Sequence, residues 1–318
     1  MISTILSPSQ EAAFIRPARI LVATDLTDID YLLPHAIAQA KACGADLTFI
    51  HAIVPVNAYP MEAGYSPYPE PAEIDQNVRA QLAKLAAAVE REGISCDTSV
   101  DFGFGADAIC EKIRSTGATR LIMGSRGYGK LGQLVLGSVS NELLGSVPIP
   151  IFVVGAHAEA TAAHTRPKRI LHPISLNGDY KKSFAIAAGL ADWYQAELTL
   201  LHVEDPAVEQ EINPAHTLAW TKTAMMSLLP TRTAGGHPVH VQAVCGGVVT
   251  ETLEAATKAN ADWIVLGVEG GHGYSPFRSN IAYRVIAAAT CCVLAVRHNS
   301  PRVEEKIVNE VPSSAVMA

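Results

Sequence analysis

Arg19-Ile-Leu-Val-Ala-Thr-Asp25 returns as Arg169-Ile-Leu-His-Pro-Ile-Ser175, and Ala45-Asp-Leu-Thr-Phe-Ile-His51-Ala52 returns as Ala196-Glu-Leu-Thr-Leu-Leu-His202-Val203. The second pair shares Ala, Leu, Thr and His at matching places. Further on, Thr119-Arg-Leu-Ile-Met-Gly124 pairs with Asp262-Trp-Ile-Val-Leu-Gly267, and Ile149-Pro-Ile-Phe-Val-Val154 with Cys292-Val-Leu-Ala-Val296. Matches kept in order at near-constant offset are the mark of a duplicated unit. A chain of 318 residues has room for two units of ordinary domain size.

Each quoted run is short and almost wholly apolar, as expected of strands buried on both faces of a parallel sheet. Strands are expected near 19–24, 46–52, 96–102, 119–123 and 149–154, and again near 169–174, 197–203, 238–244, 262–266 and 292–296. Between them lie helical patterns. Ile74, Val78, Leu82, Leu85 and Val89 share one helix face, and Gly44, Gly93 and Gly117 sit where helix C-caps are wanted. Alternating strand and helix with right-handed crossovers gives an α/β fold of two repeated doubly wound domains, over 1–156 and 168–298. The stretch near 157–167, rich in Ala, His and Thr, reads as the linker, and the first 17 residues and the tail over 299–318 lack periodicity and read as flexible. Pro148 and Pro150 suit a last strand at the edge of its own copy, open to pairing with the last strand of the other.

Composition narrows the function classes. The chain is 49% hydrophobic with mean hydropathy +0.19, so it can fill two cores. A net charge of −7 and a pI near 5.9 give no basic footprint for nucleic acid. No apolar run reaches the ~18 residues of a membrane span, and the N-terminus does not read as a signal peptide, so the expectation is a soluble, cytoplasmic protein. Six cysteines without metal or disulfide spacing read as reduced, mostly buried thiols.

The chemistry is expected where the fourth strand of copy one ends, in Gly124-Ser-Arg-Gly127-Tyr-Gly-Lys-Leu-Gly-Gln-Leu-Val-Leu-Gly137-Ser138-Val-Ser140. Glycines let the backbone approach a ligand closely, and a helix starting at Ser138, with that serine as its cap, offers N–H groups to an anion. Glycines needed for turns alone would look similar. Position decides: the loop leaves the carboxyl end of a central strand, where open α/β sheets bind ligands.

The spacing Gly124-x2-Gly127-x9-Gly137-Ser138 resembles the nucleotide motif of the universal stress protein family, and Ile20-Leu-Val-Ala-Thr-Asp25 resembles its first strand. The duplication makes the chain similar to a tandem member. The resemblance implies five-stranded parallel sheets of order 3-2-1-4-5, of the adenine nucleotide alpha hydrolase-like kind, that bind ATP, with Mg2+ as an option. It places Ala23 and Ala52 by the adenine, Asp25 by the ribose or the metal-phosphate side, Gly124 and Gly127 by ribose and phosphate, and Gly137, Ser138 and Val139 on the phosphates. Thr24 and Ser140 are counted with this site, and Arg126, like Lys130, could screen phosphate charge. No metal ligand is assigned. In the family the last strand pairs across a dimer, so here the two copies are expected to pair within the chain, with a homodimer as a further option.

Copy two departs from the motif. Ser175 replaces Asp25, and the loop reads Gly267-Val-Glu269-Gly270-x9-Asn280-Ile281, without the third glycine or the hydroxyl. Copy two is therefore expected to have lost triphosphate binding. Other signals carry less. Gly127-Tyr-Gly129-Lys-Leu-Gly132 satisfies GxGxxG but follows the fourth strand and lacks the ribose-binding acid; no Walker loop is present. His237 and His240, with His51 and His202, read as ordinary strand histidines. Asp28 reads as a helix N-cap or as a partner of Asp25 in base or metal work. The segment from Tyr59 to Pro71 reads as a surface loop or a lid. The leading expectation is a nucleotide-binding stress-response module; a slow ATP hydrolase and a nucleotide-free interaction protein are the alternatives.

Overall fold

Among the described residues the apolar runs form ten strands, and helices between them turn their apolar faces to the sheet. The computed structural model describes residues 6–53, 71–125, 136–155, 158, 166–176, 180–204, 214–269 and 281–298. Copy one runs β1 (Arg19–Ala23), α2 (Ile29–Cys43), β2 (Asp46–Ile53), α3 (Pro71–Arg91), β3 (Cys96–Phe102), α4 (Gly105–Thr116), β4 (Arg120–Gly124), α5 (Ser138–Ser146) and β5 (Ile151–Val154). It is preceded by α1 (Pro8–Ile15). Copy two runs β6 (Arg169–Pro173), α6 (Lys181–Tyr194), β7 (Glu197–Glu204), α7 (Pro214–Leu228), β8 (Val239–Cys245), α8 (Val248–Lys258), β9 (Trp263–Glu269), α9 (Ile281–Ala288) and β10 (Cys292–His298).

All ten strands join one sheet in the order β3-β2-β1-β4-β5-β10-β9-β6-β7-β8. Each copy is parallel within itself and has the order 3-2-1-4-5. The copies meet where β5 and β10 run antiparallel, with Val153 opposite Val293 and Leu294 opposite Phe152. This is the expected intramolecular pairing. Pro148 and Pro150 precede the first residue of β5, so neither costs the ladder a donor, and β5 can lie inside the sheet.

The core continues through that seam. Phe152 of β5 meets Trp263 of β9 edge-on at 4.9 Å, Trp263 meets Tyr194 of α6 at 5.1 Å, and His35 of α2 lies 3.7 Å by Nδ1 from Cys292 Sγ. All are buried. Six free thiols are found, but only Cys291 and Cys292 are buried; the other four are half-buried, Cys43, Cys96 and Cys245 at element ends and Cys110 where α4 meets α5, 3.9 Å by Sγ from Ser146 Oγ. Among the described residues no helix is long and apolar enough to cross a membrane.

The N-terminal segment departs from its expected flexibility. Ser7 Oγ accepts from Gln10 N at 3.3 Å while Ser7 N donates to Gln10 Oε1 at 3.1 Å, a reciprocal cap that starts α1. The helix then docks on copy two: Ile15 lies so close to Gly189 that a Cβ there would fall 2.1 Å from Ile15 Cδ1, and the Arg16 guanidinium sits 3.9 Å over the Trp193 ring. Arg120, fully buried at the start of β4, donates to the Phe14 carbonyl and, at 2.8 Å, to Gln39 Oε1. The linker apart from 158, 166 and 167, the tail and the Tyr59 to Glu70 segment lie outside the described residues.

Candidate functional site

In the order 3-2-1-4-5, successive crossovers run leftward from β1 and rightward from β3, so right-handed connections put α2 and α3 on one face and α4 and α5 on the other. The chains leaving β1 and β4 therefore part, and a crevice opens at their carboxyl ends. Ala23 pairs with Met123 across β1 and β4, which sets Thr24 beside Gly124 at the mouth.

One wall is the turn after β1. Thr24 N donates to Ile50 O at 3.1 Å, His51 Nδ1 lies 2.9 Å from the Thr24 carbonyl, and Leu26 takes a left-handed φ of 69°. Such a φ is costly for a branched residue and persists only when its surroundings hold it. Here Leu26 N donates to Thr24 Oγ1 at 2.8 Å, and Thr27 donates to Asp25 Oδ1 through both N (2.9 Å) and Oγ1 (2.6 Å). The turn leaves Asp25 Oδ2 buried with no hydrogen-bond partner among the described residues. A buried carboxylate oxygen without a donor is costly, and a ribose hydroxyl or a phosphate-bound cation is the kind of group that would relieve it.

Asp28 occupies the N-cap position of α2, but its side chain caps nothing. It lies buried 2.5 Å by Oδ1 from the Thr24 hydroxyl. Burial raises its carboxyl to about 7; the Thr24 hydrogen bond pulls against that rise, and the Asp25 charge adds to it.

The opposite wall is the start of α5. Gly137, not Ser138, is the N-cap, and no side chain caps the helix; Ser138 already lies within its first turn. The first intrahelical bond is Asn141 N to Gly137 O at 2.9 Å, so the N–H groups of Ser138, Val139 and Ser140 have no partner within the helix. That turn carries no acidic residue to compete for them. Ser140 Oγ donates instead to Gly124 O at 3.3 Å, tying the helix to the end of β4. Gly137 has φ −60° and ψ 152°, which any residue can adopt, so glycine there supplies room and not conformational freedom.

Ala23, Thr24, Asp25, Gly124, Gly137, Ser138, Val139 and Ser140 thus gather around one crevice, with Ala52 further out on β2 opposite Asp101. Arg126 and Gly127 lie outside the described residues. Sequence reading missed His51 and Thr27 as supports of the β1 turn; the Asp25-x-Thr27 spacing, a common side-chain-to-backbone turn, was the available signal.

The equivalent crevice of copy two is built differently. Strands β9 and β10 stay paired past Gly267 opposite Val296, through Arg297 opposite Val268 and His298 opposite Glu269, whereas β4 and β5 stop at Gly124 opposite Val154. Glu269 is therefore strand and not loop. The His298 ring lies against Gly267, 2.2 Å from where a Cβ would be, on the residue equivalent to Gly124. His202 Nδ1 lies 3.0 Å from the Ile174 carbonyl, repeating the role of His51. Gly270 and Asn280 lie outside the described residues. A cavity of about 590 Å³ elsewhere on copy two, lined by Arg169, Thr199, Lys222 and His240, opens at the amino ends of its strands, away from this crevice.

The family model described as the universal stress protein family matches residues 18–155 and again 167–297. The chain belongs to the universal stress protein family. This tandem chain is 27% identical over 293 residues to a universal stress protein from Mycolicibacterium smegmatis, covering 87% of this chain and 96% of that protein. It is 36% identical over 124 residues to one from Thermus aquaticus, covering 37% of this chain and 84% of that one. Among solved structures, a universal stress protein from Archaeoglobus fulgidus superposes with a TM-score of 0.67 at 17% identity, covering 89% of this chain and 99% of that one, a likeness of fold.

Proposed function

We propose that this universal stress protein binds one ATP, in copy one, and serves as a nucleotide-linked module of the stress response. The observation that carries the reading is the pairing of opposites across one crevice: a buried Asp25 Oδ2 without a partner among the described residues on the β1 side, and the uncapped, acid-free first turn of α5 on the β4 side. An adenosine phosphate is polar in the matching sense, with ribose hydroxyls that donate and phosphates that accept. The adenine would lie toward Ala23 and Ala52, and a Mg2+ carried by the phosphates would sit on the Asp25 side. Gly127 and Arg126 follow β4 directly in the sequence and belong to this reading through the glycine spacing alone. In copy two the His298 ring against Gly267 and the prolonged β9–β10 ladder support a single site per chain.

The test is to denature protein purified without added nucleotide, identify what is released, and titrate the emptied chain with ATP. One adenine nucleotide per chain is expected. Two per chain would refute the loss in copy two, and none would leave an interaction protein without nucleotide. Accumulation of ADP over hours of incubation would turn the reading to a slow hydrolase.

A further inference from the structure

Helix α5, whose first turn forms the phosphate side of the crevice, is held from the other copy. It packs on β9 and β10 across the seam. Arg297 of β10 donates through Nη1 to the Ser146 carbonyl in the last turn of α5 at 2.7 Å, and Tyr283 of α9 donates its hydroxyl to the Asn141 carbonyl at 3.1 Å. The last turn of α5 has no basic residue of its own. A cation there complements the negative end of the helix dipole and satisfies a carbonyl the helix leaves open.

The equivalent positions of copy one are not built for the same support. Gly124 and Gly267 are equivalent, and they pair with Val154 and Val296, so Gly155 stands where Arg297 stands. Counting from the same equivalence, Ser140 stands where Tyr283 stands, and its hydroxyl stays within copy one on Gly124 O. Copy one has a bare glycine at the place from which copy two sends a guanidinium across.

We propose that copy two is a positioning partner for the site of copy one, acting through α5, with Arg297 and Tyr283 as the positioning residues. This rests on the phosphate reading of that helix. The backbone N–H groups of Ser138 to Ser140 bind well only if α5 stays in register with the end of β4, and the two cross-copy bonds fix its far end and its middle. A residue acting this way affects phosphate recognition and leaves recognition of base and ribose, set by the β1 and β2 side, largely alone.

The full chain as wild type, Arg297→Gln, Arg297→Lys and Tyr283→Phe is titrated with ATP and with adenosine, and amide exchange across 138–146 is measured without nucleotide. Arg297→Gln should weaken ATP by roughly tenfold and adenosine by less than about twofold, with faster exchange in α5 but not in α4. Arg297→Lys should recover part of the ATP affinity, and Tyr283→Phe should show a smaller loss of the same kind. Equal losses for ATP and adenosine, or unchanged exchange in α5, would overturn the proposal. Failure of the wild-type chain to bind either ligand would instead overturn the nucleotide reading on which it stands.

Discussion

Asp28→Asn removes one ionisable group from the wall of the crevice and should change how stability depends on pH. The carboxyl is only 4% exposed, and burial raises it from an ordinary 3.8 to about 7. A folded-state value above the unfolded one means that the folded chain holds this proton more tightly. Stability tied to Asp28 is therefore fully present below about pH 4, declines as pH rises toward 7, and is lost above it. At about 1.4 kcal/mol per pH unit, the difference amounts to roughly 4 kcal/mol as a ceiling, less whatever relaxation of α2 recovers. Asparagine keeps the shape and an oxygen for the Thr24 hydroxyl, so the variant should gain stability over wild type at pH 8 and gain none at pH 4. Urea unfolding midpoints of both proteins at half-unit steps from pH 4 to 8, with nucleotide removed, give the comparison. Parallel curves for the two proteins would mean that Asp28 is not the titrating group and that the turn is more open to solvent than its geometry implies.

Three further outcomes follow from the same contacts. Gly137→Ala should keep the unfolding midpoint of the wild type, because φ −60° suits alanine, yet lose roughly tenfold or more in ATP affinity by calorimetry; equal affinity would place the phosphates elsewhere. Val153→Lys puts a charge where the side chain is 1% exposed and faces Val293, and should cost about 3–5 kcal/mol in chemical unfolding; a cost under about 1 kcal/mol would mean the seam opens readily. Phe14→Ala should cost up to about 3 kcal/mol and raise proteolysis near α1, since Phe14 is buried beneath α1, with Lys182 lying 5.8 Å over its ring; an unchanged cleavage pattern would mean that α1 does not depend on that anchor.

The strands were legible because each is buried on both faces, so Ile20 to Ala23 or Val293 to Val296 read as unbroken apolar runs. Their ends were not. Apolar patterning stops at Val296, but a ladder needs only backbone groups, and β10 continues through Arg297 and His298. Those two residues are the ones that remodel copy two and reach copy one. Helix α1 was hidden in another way: its eight residues are too few for periodicity to register, although Ser7 and Gln10 carried the capping spacing. The site was legible as a set of backbone positions, since glycine spacing reports where a chain must leave room. Which polar atoms it leaves bare was not legible, because the fates of Asp25 Oδ1 and Oδ2 depend on the turn at Leu26, and nothing in the identity of a leucine announces a left-handed φ.

Antiparallel pairing of β5 with β10 creates a local two-fold relation, so residues at equivalent places in the two copies meet as counterparts at the seam. A homodimer of copy one through β5 would satisfy that relation and bury the same kind of edge. It would also offer Gly155 to each α5, and a glycine cannot cap a helix end with a guanidinium. The tandem arrangement makes the counterparts differ: Arg297 for Gly155, Tyr283 for Ser140, and in copy two the His298 ring lies against Gly267, the counterpart of Gly124. Covalent linkage keeps the unequal pair together at high effective concentration, so the asymmetry does not have to compete with self-pairing between chains. On this account isolated copy one should fold and pair, and still bind adenosine, but hold ATP less tightly than the full chain. Supplying copy two separately should restore the difference only to the extent that its β10 displaces a second β5 from the seam.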